Sequence, residues 1–187
     1  MADAIVVGTV SRVSVEKGHK HLIDAIAQLA PRPPQLRALI VGDGPAKADL
    51  QDQTARLGLQ GVILFPGFCD ALSSTLAAMD IFAQPSVQQE GLPTSVLEAQ
   101  AAALPVIASD IGGTNEALEA NVTGLLTPPG DAAALAHAIE QLAADPERRH
   151  AMGIAGRTRI QNTFTIEAMV QQVASAYEEA LARHAQK

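Results

Sequence analysis

Two carboxylates bracket the segment Glu90-Gly91-Leu92-Pro93-Thr94-Ser95-Val96-Leu97-Glu98. The pattern places Glu90 in a loop and Glu98 one turn into a helix. Between them, the helix start offers free backbone N–H groups at Thr94, Ser95 and Val96. Such a start binds anions, phosphate included. Gly91 lets the backbone approach a ligand closely, with Leu92 beside it. Glu98 lies just past the anion site, where a carboxylate can accept hydrogen bonds from vicinal hydroxyls such as those of a ribose. Glu90 lies before it, placed to touch whatever the phosphate carries. The same letters allow a plainer reading. Ser95 followed by Glu98 is a capping box, in which Glu98 only secures the helix start, worth about 1 kcal/mol.

Two cations complete the set. Gly8-Thr9-Val10-Ser11-Arg12 leads to Lys17-Gly18. Arg12 can fork two phosphate oxygens, and Lys17 adds a point charge. Facing a helix start, the pair could neutralise a diphosphate leaving group. Arg12, Lys17 and Lys20 stand against Glu16 alone in this stretch, while the other ten Lys and Arg face nineteen acids. A small basic spot on an acidic body suits one anionic group. Solvated surface charge is the bland alternative.

Other segments are weaker. Gly42-Asp43-Gly44-Pro45 resembles a glycine-rich dinucleotide turn, but Lys47 stands where the third glycine belongs. A dehydrogenase is disfavoured, and the turn reads as structural. Gly112-Gly113 opens another loop where paired glycines permit close ligand approach. Glu116 there reads as a first-turn charge favourable to the helix dipole. His19 and His21 diverge on a helix, and no cluster has metal-ligand spacing. Cys69, beside Pro66-Gly67-Phe68, reads as a buried small residue.

The elements that must hold these groups alternate. Apolar runs predict strands at residues 5–10, 36–41, 62–65, 81–83, 105–108 and 124–126. Helical spacing predicts helices at 19–30, 46–57, 72–79, 95–103, 114–119, 132–144, from 146 onward, and 166–183. Asp131 and Asp145-Pro146 read as helix starts. Pro31, Pro33 and Pro34 break the chain, and Pro66-Gly67 closes the third strand. Strand–helix alternation with short buried strands means an α/β fold, a parallel sheet covered on both faces. Ligands bind such sheets at the strands' carboxyl ends. The loops that matter are therefore residues 11–18, 42–45, 66–70, 84–94 and 109–116.

Composition sets the bounds. The 187 residues fit one domain, 48% of them apolar and 18% charged, which excludes disorder. Thirty-five alanines, one tyrosine and no tryptophan suggest many closely packed helices. A single cysteine excludes a disulfide scaffold. The richest apolar run, residues 101–108, contains Pro105, so no membrane span is expected. No secretory signal is visible in Met1-Ala2-Asp3. A net charge of −7 argues against nucleic-acid binding. The first strand starts almost at once, which suggests one part of a longer protein.

Taken in order, these segments resemble one family: the retaining, nucleotide-sugar-dependent glycosyltransferases of family 4, or group 1. The match runs from Val7-Gly8 to Arg12 and Lys17-Gly18, then Leu39-Ile40-Val41-Gly42-Asp43-Gly44-Pro45 and Phe65-Pro66-Gly67. It continues through Gln84-Pro85-Ser86, the Glu90-to-Ala99 segment, Pro105-Val106-Ile107-Ala108, Gly112-Gly113 to Glu116, and Thr123-Gly124-Leu125-Leu126. Specifically, the chain resembles the C-terminal, donor-binding domain of the GT-B fold. That implies a Rossmann-like three-layer α/β/α unit with a six-stranded parallel sheet.

The resemblance implies roles. Arg12 and Lys17 would hold the diphosphate, with Thr94 and Ser95 binding it through their amides. Glu98 would bind the ribose and Glu90 the transferred sugar, flanked by Gly91 and Leu92. The loop around Phe68 would meet the nucleobase, with Gly44 nearby. No metal and no cofactor is expected; the substrate would be a UDP- or GDP-sugar, and Glu90, Arg12 and Lys17 would be the catalytic set. The acceptor domain would be a separate N-terminal half, so this chain would bind donor without efficient transfer. The last helix, from 165 on, would dock on that half. A cytoplasmic protein is implied, with any membrane contact made through the other half. Ala103 departs from a glycine common in the family, and Thr165 from an aromatic. Two alternatives stay open: a non-catalytic nucleotide-binding module, and a nucleotide-sugar epimerase or phosphorylase of similar fold.

Overall fold

The computed structural model describes residues 4–30 and 35–185. The first three residues and the proline-rich break at 31–34 lie outside the described residues. Six apolar runs form the strands β1 (Ile5–Val10), β2 (Leu36–Val41), β3 (Ile63–Gly67), β4 (Ile81–Gln84), β5 (Val106–Ser109) and β6 (Gly124–Thr127). All pair in parallel, in the order β3-β2-β1-β4-β5-β6. The order reverses between β1 and β4, where a doubly wound sheet opens a crevice at its carboxyl edge.

The helices are α1 (His19–Leu29), α2 (Lys47–Arg56), α3 (Leu72–Ala77), α4 (Thr94–Ala101), α5 (Thr114–Ala117), α6 (Ala132–Ala144), α7 (Pro146–Thr163) and α8 (Ile166–Ala185). Strand residues alternate between two apolar clusters. Ile81, Ala83 and Ile107 face one with α1, α2 and α6; Phe82, Val106 and Ala108 face the other with α3, α4 and α5. This period of two, buried on both faces, is why the strands read as unbroken apolar runs. Helix α1 turns Leu22, Ile23, Ile26 and Leu29 inward at helical spacing. The predicted caps form: Asp131 accepts from the Ala134 N–H and Asp145 from the Arg148 N–H, each at 2.9 Å.

Three details differ from expectation. Strand β3 continues through Pro66 to Gly67, because β3 is an edge strand and its outer side needs no N–H. Cys69 is exposed rather than buried, since it follows that edge strand into an open loop. Ala103 adopts φ +60°, a left-handed conformation that favours glycine. It ends α4 in a Schellman turn, with Ala103 N–H donating to Gln100 and Leu104 N–H to Ala99. The alanine-for-glycine departure therefore sits where the backbone is least tolerant of it.

Helix α8 stands apart. Ile166, Met169, Val170, Val173, Tyr177 and Leu181 are all exposed along it. At its root, Leu92, Leu97, Phe164, Ile166 and Met169 help line an open cavity of about 620 Å³.

Candidate functional site

The crevice is walled by the loops after β1 and β4. The first loop is anchored by buried Val13, whose N–H donates to the Asp43 carbonyl and whose carbonyl accepts from Ala46. A short 3-10 turn, Val15–Lys17, then ends on Gly18 at φ +66°. There the two loops meet. The Val87 N–H donates to the Glu16 carbonyl at 2.9 Å. A Cβ on Gly18 would lie 1.9 Å from the Pro85 carbonyl oxygen. The glycine serves loop-to-loop contact.

That contact brings Lys17 onto Glu90. Lys17 Nζ donates to Glu90 Oε1 at 2.6 Å, with both side chains mostly covered. The same oxygen accepts from Ser86 Oγ at 2.6 Å and Gln84 Nε2 at 3.4 Å. Partial burial works against the charged carboxyl. The hydrogen bonds from Lys17, Ser86 and Gln84, with the Lys17 charge, outweigh it and hold Glu90 below the usual carboxylate range. Glu90 is therefore ionised near neutrality, an acceptor for hydroxyls rather than a proton donor. Lys17 is engaged rather than free, but an ammonium keeps two more donors for a phosphate.

A third loop holds the Glu90 backbone. The Gly113 N–H donates to the Glu90 carbonyl at 2.9 Å. Cβ atoms on Gly112 and Gly113 would lie 2.2 Å from the Glu90 oxygen and 1.8 Å from the Gly91 oxygen. The paired glycines thus admit the neighbouring loop, not a ligand. Gly91 itself is exposed, with open space about its Cα.

The helix start differs from the capping-box reading. Pro93 occupies the cap position, so α4 begins at Thr94 with no side-chain cap. Ser95 instead donates to Gln84 Oε1 at 3.3 Å, and Glu98 stands exposed. Val96 is not free, since its N–H donates to the Pro93 carbonyl. Among the described residues, Thr94 and Ser95 keep open N–H donors. Glu98→Gln should accordingly leave the unfolding free energy within about 0.5 kcal/mol. A loss near 1 kcal/mol in urea unfolding would restore the capping role.

Arg12 is exposed beside a cavity of about 370 Å³ at the ends of β1, β2 and β3. Phe68, Cys69, Gly42 and Asp43 line it too, and Phe68 is 76% exposed. Gly44 is not among the residues lining it and packs against the Val13 backbone. The sequence-predicted residues thus fall in two clusters: Lys17 in contact with Glu90, and Arg12 with Phe68 around the cavity. Sequence reasoning missed the roles of Gln84 and Ser86. Their polarity at the end of a buried apolar strand was the available signal.

Comparison with known proteins decides the family. The family described as Glycosyl transferases group 1 matches residues 2–159. The chain belongs to the group 1 glycosyltransferases. This group 1 domain is 33% identical over 180 residues to the 2-deoxystreptamine glucosyltransferase of Streptomyces kanamyceticus, covering 95% of the chain and 46% of that protein. It superposes on Anabaena HepE, solved in complex with UDP, with a TM-score of 0.88 at 33% identity, over 95% of this chain and 50% of that one. HepE has also been solved with UDP-glucose. A C-terminal domain of a group 1 glycosyltransferase from Francisella tularensis, solved by itself, gives a TM-score of 0.79 at 25% identity and covers 87% of each chain. The chain spans about half the length of the full-length relatives it matches. The fold is the Rossmann-like half of a GT-B glycosyltransferase. Among the described residues, no helix is long and apolar enough to cross a membrane, and no group of three His, Cys, Asp or Glu could hold a metal ion.

Proposed function

We propose that the chain is the nucleotide-sugar donor-binding domain of a retaining glycosyltransferase, transferring a hexosyl group to an acceptor held by a separate N-terminal domain. One observation carries the reading. The loops after β1 and β4 converge at the point where strand order reverses, joined by the 2.6 Å Lys17–Glu90 contact. That is where a doubly wound sheet takes its ligand.

The roles we assign combine where these residues lie with what the family resemblance implies. Arg12 and Lys17 supply the charge for a diphosphate, and the open N–H groups of Thr94 and Ser95 supply neutral donors. Stabilising the departing diphosphate is the main catalytic contribution, an electrostatic one. Glu98 takes the ribose hydroxyls. Ionised Glu90 accepts from a hydroxyl of the transferred sugar, with Gly91 and Leu92 at its edge. The cavity beside Phe68 takes the base, with Gly44 nearby in the loop after β2. Retention of configuration and independence from metal belong to the same proposal and rest on the family resemblance. UDP or GDP is the expected nucleotide; the UDP complexes of HepE support the former.

The exposed apolar stripe of α8 is the surface we assign to the N-terminal half, because relatives are about twice as long. Separated from that half, the chain binds donor without efficient transfer. Calorimetry with UDP and GDP tests the site. The double change Arg12→Ala with Lys17→Ala should weaken the preferred nucleotide by about a hundredfold. Tight binding insensitive to the change would remove the assigned phosphate site.

A further inference from the structure

Gln84 and Ser86 are the polar residues that the donor-site roles leave unexplained. They are only 2% and 1% exposed at the end of β4. Burying an amide and a hydroxyl is unfavourable unless each is hydrogen-bonded. Among the described residues, every side-chain bond they make is to each other or to the site. Gln84 Nε2 donates to Ser86 Oγ at 3.1 Å and to Glu90 Oε1 at 3.4 Å. Gln84 Oε1 accepts from Ser95 Oγ at 3.3 Å, at the start of α4. Ser86 Oγ donates to Glu90 Oε1 at 2.6 Å.

The bonds to Glu90 are one-sided. Lys17, Ser86 and Gln84 all meet Oε1. Among the described residues, no donor meets Oε2. A carboxylate oxygen has about two lone pairs, so three donors saturate Oε1 and fix the rotation of the carboxylate plane. What remains is a single anionic acceptor in a set direction. Meanwhile the Gln84–Ser95 bond ties that carboxylate to the amide-bearing helix start.

Resting on the donor-site reading, we infer that Gln84 and Ser86 are positioning residues that lock Glu90 through Oε1, so that Oε2 alone reads a hydroxyl of the donor's sugar. The ligand class follows: a hexose carrying a free hydroxyl at that point. Ser86 contributes to recognition of the sugar rather than of the nucleoside diphosphate, whereas Gln84 also reaches the helix start through Ser95.

Calorimetry on this chain separates the two. The probes are UDP-glucose and GDP-mannose, each measured against its own nucleoside diphosphate. In Ser86→Ala, affinity for the nucleotide sugar should fall about tenfold, the worth of one hydrogen bond to a charged group. Affinity for the matching diphosphate should change less than about twofold. Ser86→Thr, which keeps the hydroxyl, should restore the sugar contribution. Losing a donor also raises the Glu90 carboxyl, so the acid limb of nucleotide-sugar binding should move to higher pH in Ser86→Ala. Equal loss for sugar and diphosphate, no loss at all, or an unmoved acid limb each overturns the inference. If the unaltered chain binds none of the four probes, the donor-site reading fails first and takes the inference with it.

Discussion

Gly18→Ala should cost the domain about 3 kcal/mol or more and abolish measurable nucleotide binding. Two penalties coincide at this residue. Its φ of +66° places a side chain in the left-handed region, worth about 1–2 kcal/mol against alanine. Its Cβ would then lie 1.9 Å from the Pro85 oxygen and 3.0 Å from the Pro85 carbon. Both are backbone atoms, so no rotamer relieves the overlap and the two loops must part. Parting them breaks the Val87-to-Glu16 bond and draws Lys17 off Glu90. Gly58 is the internal control, with φ +69° and nothing within 4 Å of its Cβ. Gly58→Ala meets only the backbone penalty, so it should lose about 1 kcal/mol and bind nucleotide normally. Urea unfolding and calorimetry on the two variants measure the clash by difference. If Gly18→Ala is no worse than Gly58→Ala, the loop contact does not hold the site together.

Acid should destabilise the domain well above the range where carboxylates titrate, through His19. That ring is 1% exposed, with Nε2 2.9 Å from Ser11 Oγ. Burial pushes its pKa down to about 4, against an ordinary value of 6.5. Between those values the unfolded chain binds a proton that the folded chain refuses. Stability is therefore whole above pH 6.5 and falls as pH drops, by roughly 3 kcal/mol once pH is below 4. His21, less buried, shifts in the same direction and adds to the slope. Glu90 acts lower still: its depressed carboxyl keeps its contribution above the ordinary carboxylate range and loses it only below. Unfolding free energies from pH 7.5 to 5 should slope steeply in the unaltered chain and more gently in His19→Gln. Parallel slopes would show that the buried ring is not the acid-sensitive group.

The layered α/β plan was legible because buried parallel strands leave plain apolar runs and their helices keep a 3.6-residue period. Caps were legible where one side chain serves the next turn, as at Asp131 and Asp145. The candidate site was legible in kind, since strand-end loops bearing Arg12, Lys17 and Glu90 must share the carboxyl edge of a parallel sheet. Partners were not. Ser95 and Glu98 spell a capping box, yet Pro93 takes the cap and Ser95 turns to Gln84, eleven residues back. Gly112 and Gly113 signal close approach, but only the fold shows that the approaching group is the Glu90–Gly91 backbone. Cys69 follows Pro66-Gly67-Phe68, and only the edge position of β3 exposes it. Each miss depends on contacts between residues distant in sequence, which local pattern does not encode.

The strand order has a consequence for biosynthesis. As the chain leaves the ribosome, β1 finds β2 within about thirty residues and zips along its whole length, Ile5 on Leu36 to Val10 on Val41. Its opposite flank waits for Ile81 and Phe82, some seventy residues later. Until then Val7 and Gly8 present an open edge to the crowded exit port, and long-separated parallel pairing is slow to form. The nascent chain thus passes through an interval in which its central strand has one neighbour.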